Sequence, residues 1–135
     1  MQIGILGPDY VIELMKPNRL LVEANSSTKI SVTVKNIGNQ NATRESITRM
    51  LAGNCSFIDT DYQSTPPLKI GQSVAITDYF ECFCGNTLGK KTVSAEANAA
   101  GVNGRTVNET NLLNNFGTVS FYCGSTFAPV CRDYV

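Results

Sequence analysis

The sequence predicts an all-β domain built as a two-layer sandwich, and three observations lead to this fold class. In the stretch 29–38, apolar Ile30, Val32 and Val34 alternate with polar residues, a period of two that gives a strand one buried and one solvated face. β-Branched residues, which favour strands, are frequent in this stretch. Turn-forming Gly, Pro and Asn residues recur about every 8 to 12 residues. A chain of 135 residues is long enough for one domain with a buried core.

The other strands are predicted from the same alternation and from flanking turn residues. We expect extended segments over 9–15, 19–23, 45–51, 55–61, 73–84, 91–99 and 116–123. The stretch 45–51 also has fair helical propensity and is assigned to a strand from its all-β context. Pro17 fits a turn at an edge or a crossover, and Pro66-Pro67 places 62–71 in a long loop. About seven strands of this kind are typical of a Greek-key sandwich of immunoglobulin type.

The predicted core contains the apolar residues at alternate positions of separate strands. Small side chains at Ala95, Ala97 and Ala99 imply that the opposite sheet approaches closely at the strand 91–99. We expect the following core: Ile30, Val32, Val34, Val74, Ile76, Val93, Ala95, Val119 and Phe121.

Composition favours an extracellular protein. Eleven basic residues balance eleven acidic ones, so there is no electrostatic footprint for nucleic acid or an anionic membrane. No apolar run is long enough to span a bilayer, so we expect no direct membrane insertion. Four Asn-x-Ser/Thr triplets predict covalent N-glycans, although an Asn- and Thr-rich chain also forms such triplets by chance. The predicted glycosylation sites are Asn25, Asn41, Asn54 and Asn108.

Five cysteines predict disulfides in an oxidising compartment. Cys82 and Cys84 lie on the same face of one strand, so they do not bond to each other. Strand direction brings Cys55, Cys82, Cys84 and Cys123 to one pole, which favours a Cys123–Cys131 bond and a bond from Cys55 to Cys82 or Cys84. One cysteine of that strand, Cys82 or Cys84, is then left over, which suggests a bond to another chain or a free reactive thiol. Zinc is the alternative, but Cys-x-Cys lacks the usual knuckle spacing.

No residue pattern predicts catalysis, a cofactor or a metal. The chain has no histidine, which excludes Ser-His and Cys-His mechanisms. The segment 85–92 resembles a phosphate-binding loop only superficially, because its glycines are too close and Lys91 stands where Ser or Thr is needed. Asp59 and Asp61 could share a hard cation with Asp78 or Glu81, but calcium needs more oxygens than this spacing supplies. We therefore expect a protein that is not an enzyme.

Three motifs resemble those of a known family. The stretch VTVKNIGNQNAT resembles the V-x-V-x-N-x-G strand and turn of CARDB-like (APHP-like) sandwich modules from archaeal and bacterial surface proteins. LKIGQS is similar to the turn before their fifth strand, and VNETNLLNN to the loop before their last strand. The motifs occur in the expected order over roughly 9–122. The resemblance implies an extracellular immunoglobulin-like adhesion or spacer module, with no catalytic residue.

The predicted organisation is an apolar N-terminal arm over 1–8, a sandwich over 9–123 and a Cys-bearing tail over 124–135. In the first functional hypothesis the chain is a subunit of a pilus-like surface filament or array. Its arm would add a strand to a neighbouring copy, with Ile3, Ile5 and Leu6 as the plugs, so the partner is a polymer of identical subunits. The alternative is an adhesive or carbohydrate-binding module of a larger cell-surface protein, with the loop 101–115 as its contact surface.

Overall fold

The described residues of the computed structural model are 6–51, 56–57, 61–85, 88–101 and 104–124. They form nine strands and no helix, and within them no segment could cross a bilayer as a helix. The strands are β1 (Tyr10–Pro17), β2 (Leu21–Glu23), β3 (Ser27–Asn36), β4 (Ser46–Leu51), β5 (Ser56–Phe57), β6 (Tyr62–Thr65), β7 (Ser73–Phe83), β8 (Gly89–Glu96) and β9 (Phe116–Gly124).

The strands form two sheets that face each other. The first sheet has the order β1-β3-β7-β5, and the second has the order β2-β9-β8-β4-β6. The chain crosses from the first sheet to the second after Pro17, and β2 then pairs with β9 as the parallel neighbour. The other pairs between described strands are antiparallel. This all-β sandwich confirms the predicted fold class.

Two element predictions need correction. Residues 62–65 form β6, although the whole stretch 62–71 was predicted to be a loop. The strand is possible because β6 ends before Pro66 and lies at the edge of its sheet, where β4 is its one partner among the described strands. Pro17 is the last residue of β1, not part of a turn, and it stands at the predicted crossover. The ambiguous stretch 45–51 is a strand, as predicted from its context.

The core lies between the sheets and contains the predicted residues. Ile30, Val32 and Val34 are fully buried on β3, and their polar neighbours on the same strand are partly exposed. Val74 and Val119 are partly buried and pack against this core. Ile76, Val93, Ala95 and Phe121 are buried as well, and so are the small residues Ala97 and Ala99.

Close approach between the sheets requires glycine at position 117. A Cβ atom there would lie 2.5 Å from Cγ2 of Ile12 and 3.1 Å from Sδ of Met15. Both side chains belong to β1 of the first sheet, whereas Gly117 belongs to β9 of the second. A larger residue at this position would therefore push the sheets apart.

Candidate functional site

The three motifs that carry the family resemblance meet at one end of the sandwich, which we call the amide pole. It contains Asn36 at the end of β3, Leu68 before β7, and Glu109 and Asn115 before β9. Tyr10, the first residue of β1, connects them. A single network of hydrogen bonds links these residues, although they are far apart in the sequence.

Asn36 is the first centre of this network and is completely buried. Its side-chain nitrogen donates to the carbonyls of Gln40 (2.9 Å) and Leu68 (3.0 Å). Its side-chain oxygen accepts from the backbone N–H groups of Asp9 (3.0 Å) and Gly38 (2.9 Å). One side-chain amide thus bonds to four backbone groups, of which the carbonyl of Leu68 also accepts the N–H of Ala42.

This arrangement changes the interpretation of the stretch 36–39. Asn and Gly form turns because they tolerate a positive φ, but Asn36 and Gly38 are not among the residues with positive φ. Gly38 is needed for a different reason: a Cβ atom there would lie 2.3 Å from the carbonyl oxygen of Gly7. The glycine lets the N-terminal segment pass over the turn.

Glu109 is the second centre of the network. Its Oε1 accepts the backbone N–H of Tyr10 (2.6 Å), and its Oε2 accepts the side-chain amides of Asn98 (2.6 Å) and Asn115. The same two amides donate to the carbonyls of Val107 and Ala97. The Tyr10 hydroxyl completes the connection because it accepts the N–H of Leu68 (3.2 Å).

The electrostatics of this pole follow from burial. Burial raises the pKa of Glu109 above its ordinary value, and the nearby charge of Asp9 also raises it, whereas the three hydrogen bonds to the carboxylate lower it. The pKa of Tyr10 is raised, chiefly by burial and further by the charge of Glu109. Tyr10 and Asn98 were not predicted as members of a site. The only sequence signal was a polar Asn98 inside an otherwise small and apolar run.

An open polar groove of about 810 Å³ lies beside the amide pole. The groove is lined by the segments 6–8, 40–44 and 104–109, together with Ala100 and Leu112. The predicted contact loop 101–115 therefore contributes part of the lining.

The end of the predicted N-terminal arm is attached to the sandwich. Gly7 donates to Oδ1 of Asn39 (2.9 Å) and accepts the N–H of the same residue, and Pro8 accepts the N–H of Thr110. Leu6 is 62% exposed, and Ile3 and Ile5 lie outside the described residues.

The opposite end of the sandwich, which we call the disulfide pole, is closed covalently. Cys84 follows β7 and is bonded to Cys123 on β9, so the bond joins the two sheets across a sequence separation of 39 residues. The predicted Cys123–Cys131 bond is therefore wrong. The argument from strand direction correctly predicted that Cys84 and Cys123 lie at one pole. It could not decide which of several nearby cysteines would pair.

Cys82, which lies among the described residues, is also disulfide-bonded, so the prediction that one of Cys82 and Cys84 is left over is wrong. Cys55 and Cys131 both lie outside those residues.

Three of the four predicted glycosylation sites can be placed. Asn25, with φ of 60°, is exposed at the turn before β3 near the disulfide pole. Asn41 and Asn108 are exposed in the groove beside the amide pole. Asn54 lies outside the described residues.

The candidate cation ligands are not brought together. Asp78 forms an exposed ion pair with Lys29, and Glu81 accepts a hydrogen bond from Ser27. Asp59 lies outside the described residues. Within the described ranges, no three acidic, histidine or cysteine side chains are grouped so that they could hold a metal.

Solved structures with a similar fold are known. The chain is similar to the CARDB domain of the PF1109 protein from Pyrococcus furiosus, whose crystal structure is in complex with di-metal ions. The TM-score is 0.65 with 21% identity over 90% of this chain and 98% of that one. The solution structure of the same domain gives a TM-score of 0.63 with 22% identity, over 89% of this chain and 98% of that one.

A part of native alpha-2-macroglobulin from Escherichia coli gives a TM-score of 0.61 with 7% identity, over 90% of this chain and 17% of that one. No protein-family model and no curated protein matches the sequence. At these identities the similarity is one of fold. The chain therefore has the immunoglobulin-type β-sandwich fold of a CARDB domain, the fold that the three motifs had indicated.

Proposed function

We propose that the chain is an extracellular, non-enzymatic structural subunit that assembles into a surface filament or array by strand addition. The observation that carries this proposal is that both ends of the sandwich are held by internal interactions. At the amide pole, Asn36, Asn98 and Glu109 form internal hydrogen bonds, and a disulfide joins the sheets at the other pole. A disulfide of this kind fits an oxidising compartment outside the cytosol.

The acceptor in this proposal is the free edge of β1. Among the residues that the structure describes, β1 has eight residues, whereas the other edge strands, β2, β5 and β6, have three, two and four. Strand addition needs a row of backbone groups long enough to bind an incoming segment. Leu14 is 57% exposed on β1 and offers an apolar contact to an incoming side chain.

The donor is the N-terminal segment of a neighbouring copy. Gly7 is held to the turn after β3, so the residues before it start from a fixed point on the sandwich. The groove nearest to that point is mostly polar, which does not suit the apolar Ile3 and Ile5. An apolar edge on another copy is a better partner for them.

The test is a pair of variants examined by electron microscopy and light scattering. Deletion of residues 1–6 keeps Gly7 and its hydrogen bonds, so the sandwich should fold while assembly is lost. Leu14→Lys should also prevent assembly, because a lysine on an edge strand opposes strand pairing. Leu113→Lys is the matched control, since Leu113 is 92% exposed on the loop before β9. Assembly that survives both changes would contradict the proposal.

The groove favours a second function, an adhesive or carbohydrate-binding module of a larger surface protein. Its polar walls include Arg44, Gln40 and Thr106, which can hydrogen-bond to sugar hydroxyls. In that case the protein should stay monomeric and should be retained on an immobilised polysaccharide. Arg44→Ala should then reduce retention without changing the melting temperature, because Arg44 is exposed.

A further inference from the structure

Two of the predicted glycosylation sites line the groove beside the amide pole. Asn41 and Asn108 are exposed and belong to its lining, and so does Thr43, the third residue of the Asn41 triplet. A sugar attached to either asparagine therefore starts at the lining of the groove. The groove volume of about 810 Å³ lies within the range of about 300 to 1,000 Å³ that is usual for small-molecule sites.

The side chain of Asn41 is held in place by one of its two polar atoms. Its Oδ1 accepts the backbone N–H of Ile70 (2.8 Å), and the next residue, Ala42, donates its own N–H to the carbonyl of Leu68 (2.9 Å). Nδ2, the atom that carries an N-glycan, forms no hydrogen bond with the described residues. The side chain of Asn108 has no such bond among those residues, so Asn41 is the better fixed attachment point.

The lining of the groove has the chemistry that a sugar needs. Arg44 and Gln40 are exposed there, and Arg44 forms no ion pair with a described residue, so its guanidinium can donate to sugar hydroxyls. Thr106 donates its hydroxyl to the carbonyl of Glu45 and keeps its oxygen as an acceptor. Leu112, which is 40% exposed, offers an apolar contact to the C–H face of a sugar ring.

We propose that the groove binds this chain's own glycan, with the first sugars attached to Asn41 lying against Arg44 and Leu112. A transferase outside this chain makes the attachment: Nδ2 loses a proton and bonds to the anomeric carbon of a lipid-linked sugar, and the lipid pyrophosphate leaves with the oxygen that had joined it to the sugar. Because the sugar is tethered beside its site, weak contacts are enough to hold it there. The inference rests on the predicted glycosylation and not on strand addition, and a groove filled in this way is closed to a free polysaccharide.

The test measures how fast the Asn41 glycan is released from the folded protein. Peptide mapping of the whole chain from its native source first shows whether Asn41 carries a glycan. An amidase that hydrolyses the sugar–asparagine bond then turns each released site into aspartate, which the same mapping follows over time. Release at Asn41 should be about tenfold faster in Arg44→Ala, produced in the same source, because one hydrogen bond to a charged group changes the bound fraction by about that factor.

Two controls separate the groove from other causes. Lys16→Ala removes an exposed cation from β1, outside the groove, and should release the Asn41 glycan at the rate of the parent. After denaturation all three proteins should release it at one rate, because the groove no longer exists. The proposal is overturned if Asn41 carries no glycan, or if the folded parent and Arg44→Ala release it equally, since the sugar then extends into solvent. Faster release from Lys16→Ala as well would overturn it too, and the outcome of the assembly experiment has no bearing on this result.

Discussion

The two poles of this sandwich are closed by different chemistry. At the amide pole, Asn36 and Glu109 hold loops and strand ends together through hydrogen bonds between distant residues. At the disulfide pole, one covalent bond between Cys84 and Cys123 joins the sheets. The difference teaches that a small β-domain has two ways to hold its strand ends. Buried polar side chains can hydrogen-bond to the backbone groups there, or a disulfide can link the strands covalently. The two solutions respond to different perturbations.

Removal of the disulfide should have the largest effect. The double variant Cys84→Ser/Cys123→Ser releases a loop that spans 39 residues, and we expect a loss of about 4 kcal/mol of unfolding free energy. Chemical denaturation of the variant beside the parent protein measures it. A loss below about 1 kcal/mol would mean that the disulfide pole is held mainly by packing around Val22 and Phe121.

Asn36→Ala should weaken the amide pole by a comparable but smaller amount. The change removes four hydrogen bonds to backbone groups, of which only the carbonyl of Leu68 has a further bond, from the N–H of Ala42, and we expect a cost of about 3 kcal/mol after water has entered. Denaturation under reducing and non-reducing conditions separates this pole from the other. Asn39→Ala, on an exposed residue of the same turn, should cost much less.

The amide pole should also respond to pH. The folded-state pKa of Glu109 is raised above 4.5, so the folded protein binds this proton more tightly than the unfolded chain does. The contribution of this proton to the free energy of unfolding is therefore fully present below pH 4.5, and it is lost as the pH rises through the folded-state pKa of Glu109. Melting curves from pH 4 upward should show this decline in the parent and not in Glu109→Gln. A decline of the same slope in both proteins would assign it to other groups.

The smallest effect on stability is expected from N-glycans, whose predicted number differs between the two poles. Exposed Asn25 predicts one glycan near the disulfide pole, and exposed Asn41 and Asn108 predict two beside the amide pole. Intact-mass spectrometry of protein from its native source counts them. Thr43→Ala should remove one glycan mass, that of Asn41, while melting changes little. A bare polypeptide mass would remove this support for export.

The fold was predictable because its signal is local. Alternation on β3 requires only that one face of a strand be buried, and Ile30, Val32 and Val34 are fully buried as expected. β6 was missed because Pro66-Pro67 dominates its neighbourhood, and an edge strand of four residues needs only one partner. The Cys123–Cys131 assignment failed because several cysteines reach the same pole, and only their positions in space distinguish the partners.

By itself, the sequence determined the two-layer β-architecture, the composition of the core and the order of the three motifs. These depend on hydrophobic periodicity and turn chemistry, which act between residues close in the chain. Only the tertiary structure decided that Asn36 is a buried centre of hydrogen bonds, that Glu109 is linked to Tyr10 across 99 residues, and that Cys84 pairs with Cys123. The physical reason is that hydrogen-bond and disulfide partners depend on which strand ends lie close together in space. Local sequence patterns do not predict that proximity.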